Sequence, residues 1–457
     1  MVLPSSRRRK LILASINIIL IVLFWIYWRF VARPGPLGPP GYKPLLRPPV
    51  ISLYYTWYTP ELLAKESPPH PPRLYESCNP NEIRRQLNEI ADTGTEVVIG
   101  EEPGCWDLVS AEMVPLSKKG IQLQYCPHLV PLELVSDRPE WKCLDPDGQT
   151  WAPLRLQPNY AHPEVRQALA EAAIRTLHRY VQDPHYWQFD DRPVVTFFWV
   201  HNQPSYDPHS RKQFQDWLAL EYKGSISRLN RLWNSNYTAF SEIQPPPWFE
   251  KGPKSADWHR FHPIQNAQNL AAVAGLIRGR YPGVAICYLL KTVVPGRKEW
   301  VRGREVLARE FEGIDIGLLA REGAADLFCG WTEHPMNIGN PSTKPREEAL
   351  EELRVINGHL EVVRRYGKHT LGHILTVSFE RWGARYPHDP AFLREFGKIC
   401  DGNDGLVIFA FNEWGEHATY EMDEERNRVL GDIVAMWRKG GNRVVSGEEP
   451  TADTVRR

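Results

Sequence analysis

The 457-residue sequence predicts a (β/α)8 barrel of the TIM type, preceded by a single N-terminal transmembrane helix. Three observations carry this expectation. Eight short apolar runs alternate with amphipathic stretches of helical period, as in a parallel sheet covered by helices. No glycine-rich loop follows any of the runs, which disfavours the rival with the same alternation, an open doubly wound nucleotide-binding sheet. And Leu11–Trp28, eighteen residues without a formal charge, stands directly behind Arg7-Arg8-Arg9-Lys10.

The front end reads first. Residues 1–10 form a basic tail and residues 11–30 an uncleaved signal-anchor, at the short end of what spans a bilayer. Trp25, Tyr27 and Trp28 cluster at its far end as an interfacial belt. The basic cluster keeps the N-terminus cytosolic, so the rest faces a lumen or the cell exterior, as in a single-pass type II membrane protein. The rival is a cleaved signal peptide, but no small-residue cleavage site follows; the next residues are Arg29-Phe30-Val31-Ala32-Arg33. Residues 31–49, rich in proline and glycine, read as a stalk. The barrel is expected over 50–440 with an insertion at about 203–263, and 441–457 as a flexible tail.

Within the barrel the strand candidates are Ile51–Tyr55, Glu96–Gly100, Ile121–Cys126, Val194–Val200, Val284–Leu290, Ala325–Gly330, Leu371–Val377 and Leu406–Phe411. The helical stretches between them include Asn81–Thr93, His162–Tyr180, Ile264–Arg280, Glu347–Tyr366 and Asp389–Cys400. The third and fourth strands are far apart, which is where the insertion is placed.

Composition excludes some functions. Formal net charge is zero, so nothing points to nucleic acid as a partner. The seven cysteines include no CxxC pair, no HExxH occurs, and no GxSxG, so zinc chemistry and serine hydrolysis have no motif to stand on; no metal or other cofactor is expected. Cys126, Cys287 and Cys329 lie in apolar runs and read as buried thiols. A disulfide, in an oxidising compartment, would come from among Cys78, Cys105, Cys143 and Cys400. The 17 Trp and 18 Tyr give a weak lift to sugar binding, because these rings offer an apolar face with a polar tip.

Chemistry in such barrels sits at the C-terminal ends of the strands. Those ends carry Tyr55, Trp57 and Tyr58; Glu101 and Glu102; His128; His201, Asn202 and Gln203; Trp331 and Glu333; and Asn412, Glu413, Trp414 and Glu416. Aromatics mixed with carboxylates match what carbohydrate sites use. Glu413 and Glu416 are the catalytic candidates. Glycoside hydrolysis needs two carboxyl groups about one glycosidic oxygen. Three residues apart on a helical turn, the two share a face, and mutual repulsion would keep one protonated as the acid. The competing reading makes Glu416 the start of a solvated acidic stretch with Glu421, Asp423, Glu424 and Glu425. Glu101-Glu102 reads equally as a solvated loop, and lone histidines such as His128 and His201 are more often structural than catalytic.

The stretch Phe411–Glu416, FNEWGE, resembles the FNEWHE signature of glycoside hydrolase family 99, the endo-α-1,2-mannosidase family. Leu53–Tyr58, LYYTWY, resembles that family's first strand, FYYSWY, and His373–Tyr386, HILTVSFERWGARY, its seventh strand and following loop. The resemblance implies retention of configuration without an enzyme nucleophile. Glu413 would act as base on the substrate's 2-hydroxyl, which attacks the anomeric carbon to give a 1,2-anhydro sugar. Glu416 would protonate the leaving oxygen and then activate water. It also implies a glycan substrate containing α-linked mannose, no metal, and a Golgi lumenal site behind a single anchor. Gly415 and His417 depart from the signature, and the sixth-strand region, ADLFCGWTEHP, lacks the family's tyrosine-rich pattern.

The middle of the chain resembles another family. Phe214–Pro247 and Asp257–Pro263 (DWHRFHP) are similar to stretches of family 42 β-galactosidases. There the fourth strand ends in an Asn-Glu pair carrying the acid/base; here the place reads His201-Asn202-Gln203, and a glutamine cannot donate and regain a proton. Two further readings stay open: a barrel that binds a glycan without cleaving it, and a transglycosylase using the same carboxylates.

Overall fold

A computed structural model of the chain describes residues 45, 48–65, 74–135, 138–151, 157–291, 298–331, 346–375, 377–378, 386–387, 390–413 and 418–445. The expected anchor and, apart from its end, the stalk lie outside the described residues; of the expected flexible tail, residues 441–445 instead continue the last helix and the rest lies outside. Among the described residues no helix is long and apolar enough to cross a membrane.

Eight parallel strands close a barrel: β1 Val50–Leu53, β2 Val97–Glu101, β3 Gln124–Leu129, β4 Arg192–Phe198, β5 Ala285–Lys291, β6 Leu327–Trp331, β7 His369–Leu375 and β8 Gly405–Phe409. Their order is β3-β2-β1-β8-β7-β6-β5-β4, and pairing of His128 with Thr196 joins β4 back to β3. All but one strand lie within two residues of expectation. The exception is β3, expected over Ile121–Cys126 and found three residues later, so that His128 lies within the strand. The extended chain runs through Pro127, which is aligned with Gly100 of β2.

The strands are apolar on both faces because helices cover the sheet outside while side chains fill the barrel inside. Val50, Ile51, Leu53, Val97, Val98 and Ile99 are all buried. The helices follow from their own sequences. α1, Pro80–Asp92, starts where Asn79 accepts a hydrogen bond from Asn81 N–H and Pro80 occupies the first turn. Its Ile83, Leu87 and Ile90, at helical spacing, are buried against the sheet. α2, Trp106–Ser117, and α3, Pro163–Tyr180, follow β2 and β3. After β4 come α4, Pro208–Glu221, α5, Ile226–Trp233, and the long α6, Pro253–Arg280. Then α7, Arg346–Arg364, α8, Pro390–Ile399, and α9, Glu424–Val445, complete the ring. Gly100 is required in β2, since a Cβ there would lie 1.9 Å from the Tyr54 carbonyl oxygen.

A second apolar core lies beside the barrel. Phe214, Leu218, Leu229, Trp233, Trp248, Trp258 and Phe261 pack with Cys143 and Trp151 from the segment after β3 and with Val301, Val306 and Phe311 after β5. α6 joins the two, since its Trp258 and Phe261 belong to this core and its Leu270, Val273 and Ile277 to the barrel.

Candidate functional site at the barrel mouth

Alternation along the strands decides which side chains reach the barrel axis. Tyr125 of β3 faces outward, stacked on Trp106 at 5.8 Å between centroids and edge-on to Tyr180 and Tyr186. Its neighbours Cys126 and His128 therefore point inward. Glu101, the last residue of β2, is in register with His128, and the two meet with Nε2 3.9 Å from Oε1. Glu102 turns the opposite way. Its carboxylate takes hydrogen bonds from Arg179 at 3.4 Å and from the Tyr180 hydroxyl at 3.3 Å. Burial raises the Glu102 carboxyl above its ordinary range despite these two partners. So Glu101 belongs to the mouth and Glu102 to the outer helix.

His128 is wholly buried, and among the described residues neither ring nitrogen has a hydrogen-bond partner. Its ring stacks on Phe198 at 5.1 Å, and Phe198 stacks on Trp199 at 4.9 Å. Trp199, directly after β4, holds φ at +58°, a left-handed backbone that a bulky side chain adopts at a cost of about 1–3 kcal/mol. It is half-buried and was not foreseen, because nothing in a local Phe-Phe-Trp run signals a reversed backbone. Also unforeseen is Glu133, exposed on the short turn Pro131–Val135 after β3. Its carboxyl is raised by partial desolvation and by the charge of Glu101.

On the other side of β2, Tyr55 follows β1 with its ring 4.3 Å from that of the half-exposed Trp57. Tyr58 is buried behind Trp57, its N–H donating to Ser77 Oγ at 3.1 Å. Past β4, His201 approaches Gln157, Nε2 to Nε2, at 3.1 Å. Asn202 and Gln203 are buried, and the Asn202 N–H donates to the Glu312 carbonyl at 3.1 Å. His262 packs beside them: it donates from Nδ1 to the Glu310 carbonyl at 2.7 Å, and burial pushes it down to about 4. Gly313, at φ +63°, leaves room there; a Cβ would sit 2.8 Å from the His262 ring and 3.0 Å from Asn202 Oδ1.

The exit of β8 is pinned at both ends. Asn412 is fully buried, and its amide clamps the backbone of Tyr55: Oδ1 accepts from Tyr55 N–H at 2.8 Å and Nδ2 donates to Tyr55 C=O at 2.7 Å. Glu413 follows with its backbone paired to Ala418, antiparallel. Beyond, the Tyr420 hydroxyl lies 2.8 Å from Ser52 Oγ in β1. Glu421 is buried rather than solvated, which corrects the reading of an acidic stretch beginning at Glu416: it accepts from the Tyr75 hydroxyl at 2.6 Å, from Gln86 at 2.8 Å, and from Arg85. The side chains of Glu413 and Trp331, and residues Glu333, Trp414 and Glu416 altogether, lie outside the described residues.

The described mouth is thus an arc from β8 through β1, β2 and β3 to β4. It presents the Trp57 and Trp199 rings, two carboxylates, and a buried imidazole with donor and acceptor capacity unused. Aromatic faces with converging hydroxyl-binding groups suit a polyhydroxylated ligand. Among the described residues no group of three or more His, Cys, Asp or Glu could hold a metal ion.

Comparison with known proteins agrees with this architecture. The family model for β-galactosidases of glycoside hydrolase family 42 matches residues 113–298, which contain both segments whose sequence resembles that family. The crystal structure of β-galactosidase from Bacillus circulans sp. alkalophilus overlays with a TM-score of 0.55 at 13% identity, covering 87% of this chain and 57% of that one. That from the psychrophilic Marinomonas ef1 gives 0.55 at 14% identity, with 87% and 62% covered. This chain therefore spans about three fifths of the length of these structures. The family 99 endo-α-mannosidase from Bacteroides thetaiotaomicron overlays at 0.44 and 12% identity, covering 88% and 100%. No curated protein matches the sequence.

Proposed function

We propose that this chain is a glycoside hydrolase acting on an α-linked glycan, with Glu413 and Glu416 as its carboxyl pair. The observation that carries the reading is the pinned exit of β8. Asn412 on one side and Tyr420 with Glu421 on the other fasten the chain that flanks residues 414–417 to the rim beside Tyr55. Flanks held in this way are suited to carrying two acids at the mouth. Glu413 takes the proton of a 2-hydroxyl as that oxygen bonds to the anomeric carbon, while Glu416 protonates the departing oxygen. Water, deprotonated by Glu416, then opens the 1,2-anhydro sugar and O2 recovers its proton from Glu413, with net retention. Glu101, Glu133 and His128 receive hydroxyls of the bound sugar, and Trp57 and Trp199 its apolar faces. In this reading a single-pass N-terminal anchor holds the activity in the Golgi lumen or on another extracytoplasmic side.

Glu413→Gln and Glu416→Gln are each expected to abolish release of reducing sugar from α-mannosides while leaving the circular dichroism unchanged; full turnover by either variant rejects the assignment. A second reading, a barrel that binds glycan without cleaving it, is favoured by one observation. The end of β4 carries the neutral pair Asn202-Gln203 where the family 42 pattern has an acid. Binding on a glycan array by a wild-type protein that releases no product would favour it.

A further inference from the structure

Two of the seven cysteines stand apart from the rest. Cys126, Cys143, Cys287, Cys329 and Cys400 are buried, whereas Cys78 and Cys105 are only half-buried. Cys78 sits just before the cap of α1, and Cys105 is the residue before α2. Twenty-odd residues and a whole strand separate them in sequence, yet their thiols converge on one carbonyl: the Thr56 oxygen lies 3.5 Å from Cys78 Sγ and 4.0 Å from Cys105 Sγ. Cys105 Sγ is also 4.0 Å from the carbonyl of Ser77, the neighbour of Cys78. We infer that Cys78 and Cys105 form a covalent modification site, a disulfide that ties the loop after β1 to the loop after β2 at the barrel rim.

The bland alternative is two thiols that happen to be neighbours. Against it stand their shared acceptor and an exposure that admits a small oxidant. The Cys105 thiol is held protonated, pushed up to about 12 by burial and by its hydrogen bond and charge interaction with Cys78. Taken from the Cys78 side, exchange with a low-molecular-weight disulfide such as oxidised glutathione has Cys78 displace one glutathione thiolate to give a mixed disulfide. Cys105 loses its proton and displaces the second. One disulfide and two reduced glutathiones result from one oxidised glutathione and two thiols. The bond would rest beneath Trp57, next to Thr56 in sequence, and would hold that ring's loop against the start of α2. The inference does not depend on the glycosidase reading, and its test measures no glycan.

The full-length chain is incubated with oxidised glutathione at pH 8, denatured, alkylated and digested with trypsin. The expected result is two fewer alkylated cysteines than the seven present, and a peptide pair joining Leu74–Arg84 to Gln86–Lys118 that is lost on reduction. The melting temperature should rise on oxidation by about 4 °C, the entropy of closing a roughly 28-residue loop in a chain this long. Cys78→Ser should melt alike with and without oxidant. Alkylation of all seven, a link between any other pair, or stable glutathione adducts on these two sulfurs overturns the inference.

Discussion

Asn412 shows how much a single side chain holds at the rim. Both halves of its amide are spent on the backbone of Tyr55, a contact across 357 positions. Asn412→Ala removes both of these hydrogen bonds from a buried backbone, and is expected to cost about 2–4 kcal/mol in urea unfolding. Asn412→Asp keeps the acceptor but loses the donor and buries a charge, so it should be no milder; a variant as stable as the parent would show that the clamp does not hold the β8 exit. His128 predicts the opposite sign. Its nitrogens have no hydrogen-bond partner among the described residues, only the approach of Glu101 at 3.9 Å, so His128→Phe removes unsatisfied polar atoms while keeping a ring stacked on Phe198. The fold should gain about 1 kcal/mol, while affinity for a glycan, read by titration calorimetry, should fall at least tenfold. A loss of stability with unchanged binding would make His128 a core histidine. The type and position of both residues were legible in the sequence, but their partners were not. The clamp joins the two ends of the barrel, and no local pattern reports it.

At the level of elements, legibility followed periodicity. α1, α3, α7 and α8 begin and end within two residues of expectation because caps, prolines and apolar spacing agree. β3 lies three residues beyond its expected place and runs through Pro127, whose missing N–H can be accommodated where the partner strand requires none. α6 begins eleven residues before the expected Ile264, with Pro263 inside it and the helix continuing through. The segment after β8 misled through charge. Glu421 looks like one of a run of solvated acids, yet it joins β8 to α1 through Tyr75, Gln86 and Arg85. Glu421→Ala removes a buried acceptor shared by Tyr75, Gln86 and Arg85; Arg85 keeps Glu82 and Glu89, so the change should cost about 2–3 kcal/mol in urea unfolding. Glu424→Ala, on exposed helix surface, should change stability by less than about 0.5 kcal/mol. Equal effects at the two positions would return Glu421 to the solvated stretch.

For the whole molecule, two cores share one helix, and titratable groups are buried in both the barrel and the segment beside it. His373 in β7 is pushed down to about 3 by burial, and His262 in α6 to about 4 by burial against its bonds to the Glu310 and Gln203 backbone. Both stay neutral in the folded chain at a pH where an unfolded histidine, near pH 6.5, has taken a proton. Their contribution is therefore complete above about pH 6.5. It is lost as pH falls toward their folded values, since the unfolded state then binds the more protons. Two protons of difference correspond to a slope of about 2.7 kcal/mol per pH unit around pH 5. The acids extend the decline. Burial alone would raise Asp326, but Lys368, Arg278 and the Ile286 N–H outweigh it and hold the carboxyl below its usual range. Asp207 is likewise held low, burial notwithstanding, by Ser210, Ser205 and Asn159. Their stabilisation persists above pH 4 and is lost below it. Urea midpoints measured from pH 7.5 to pH 4 should thus be level at first and fall steeply from about pH 6. His373→Asn, which takes up no proton, should flatten that fall by about one proton's share, about 1.4 kcal/mol per pH unit. A midpoint constant between pH 7 and pH 5 would mean that these imidazoles accept protons within the fold, through a hydrated or mobile barrel interior that the close packing around His373 and Phe409 argues against.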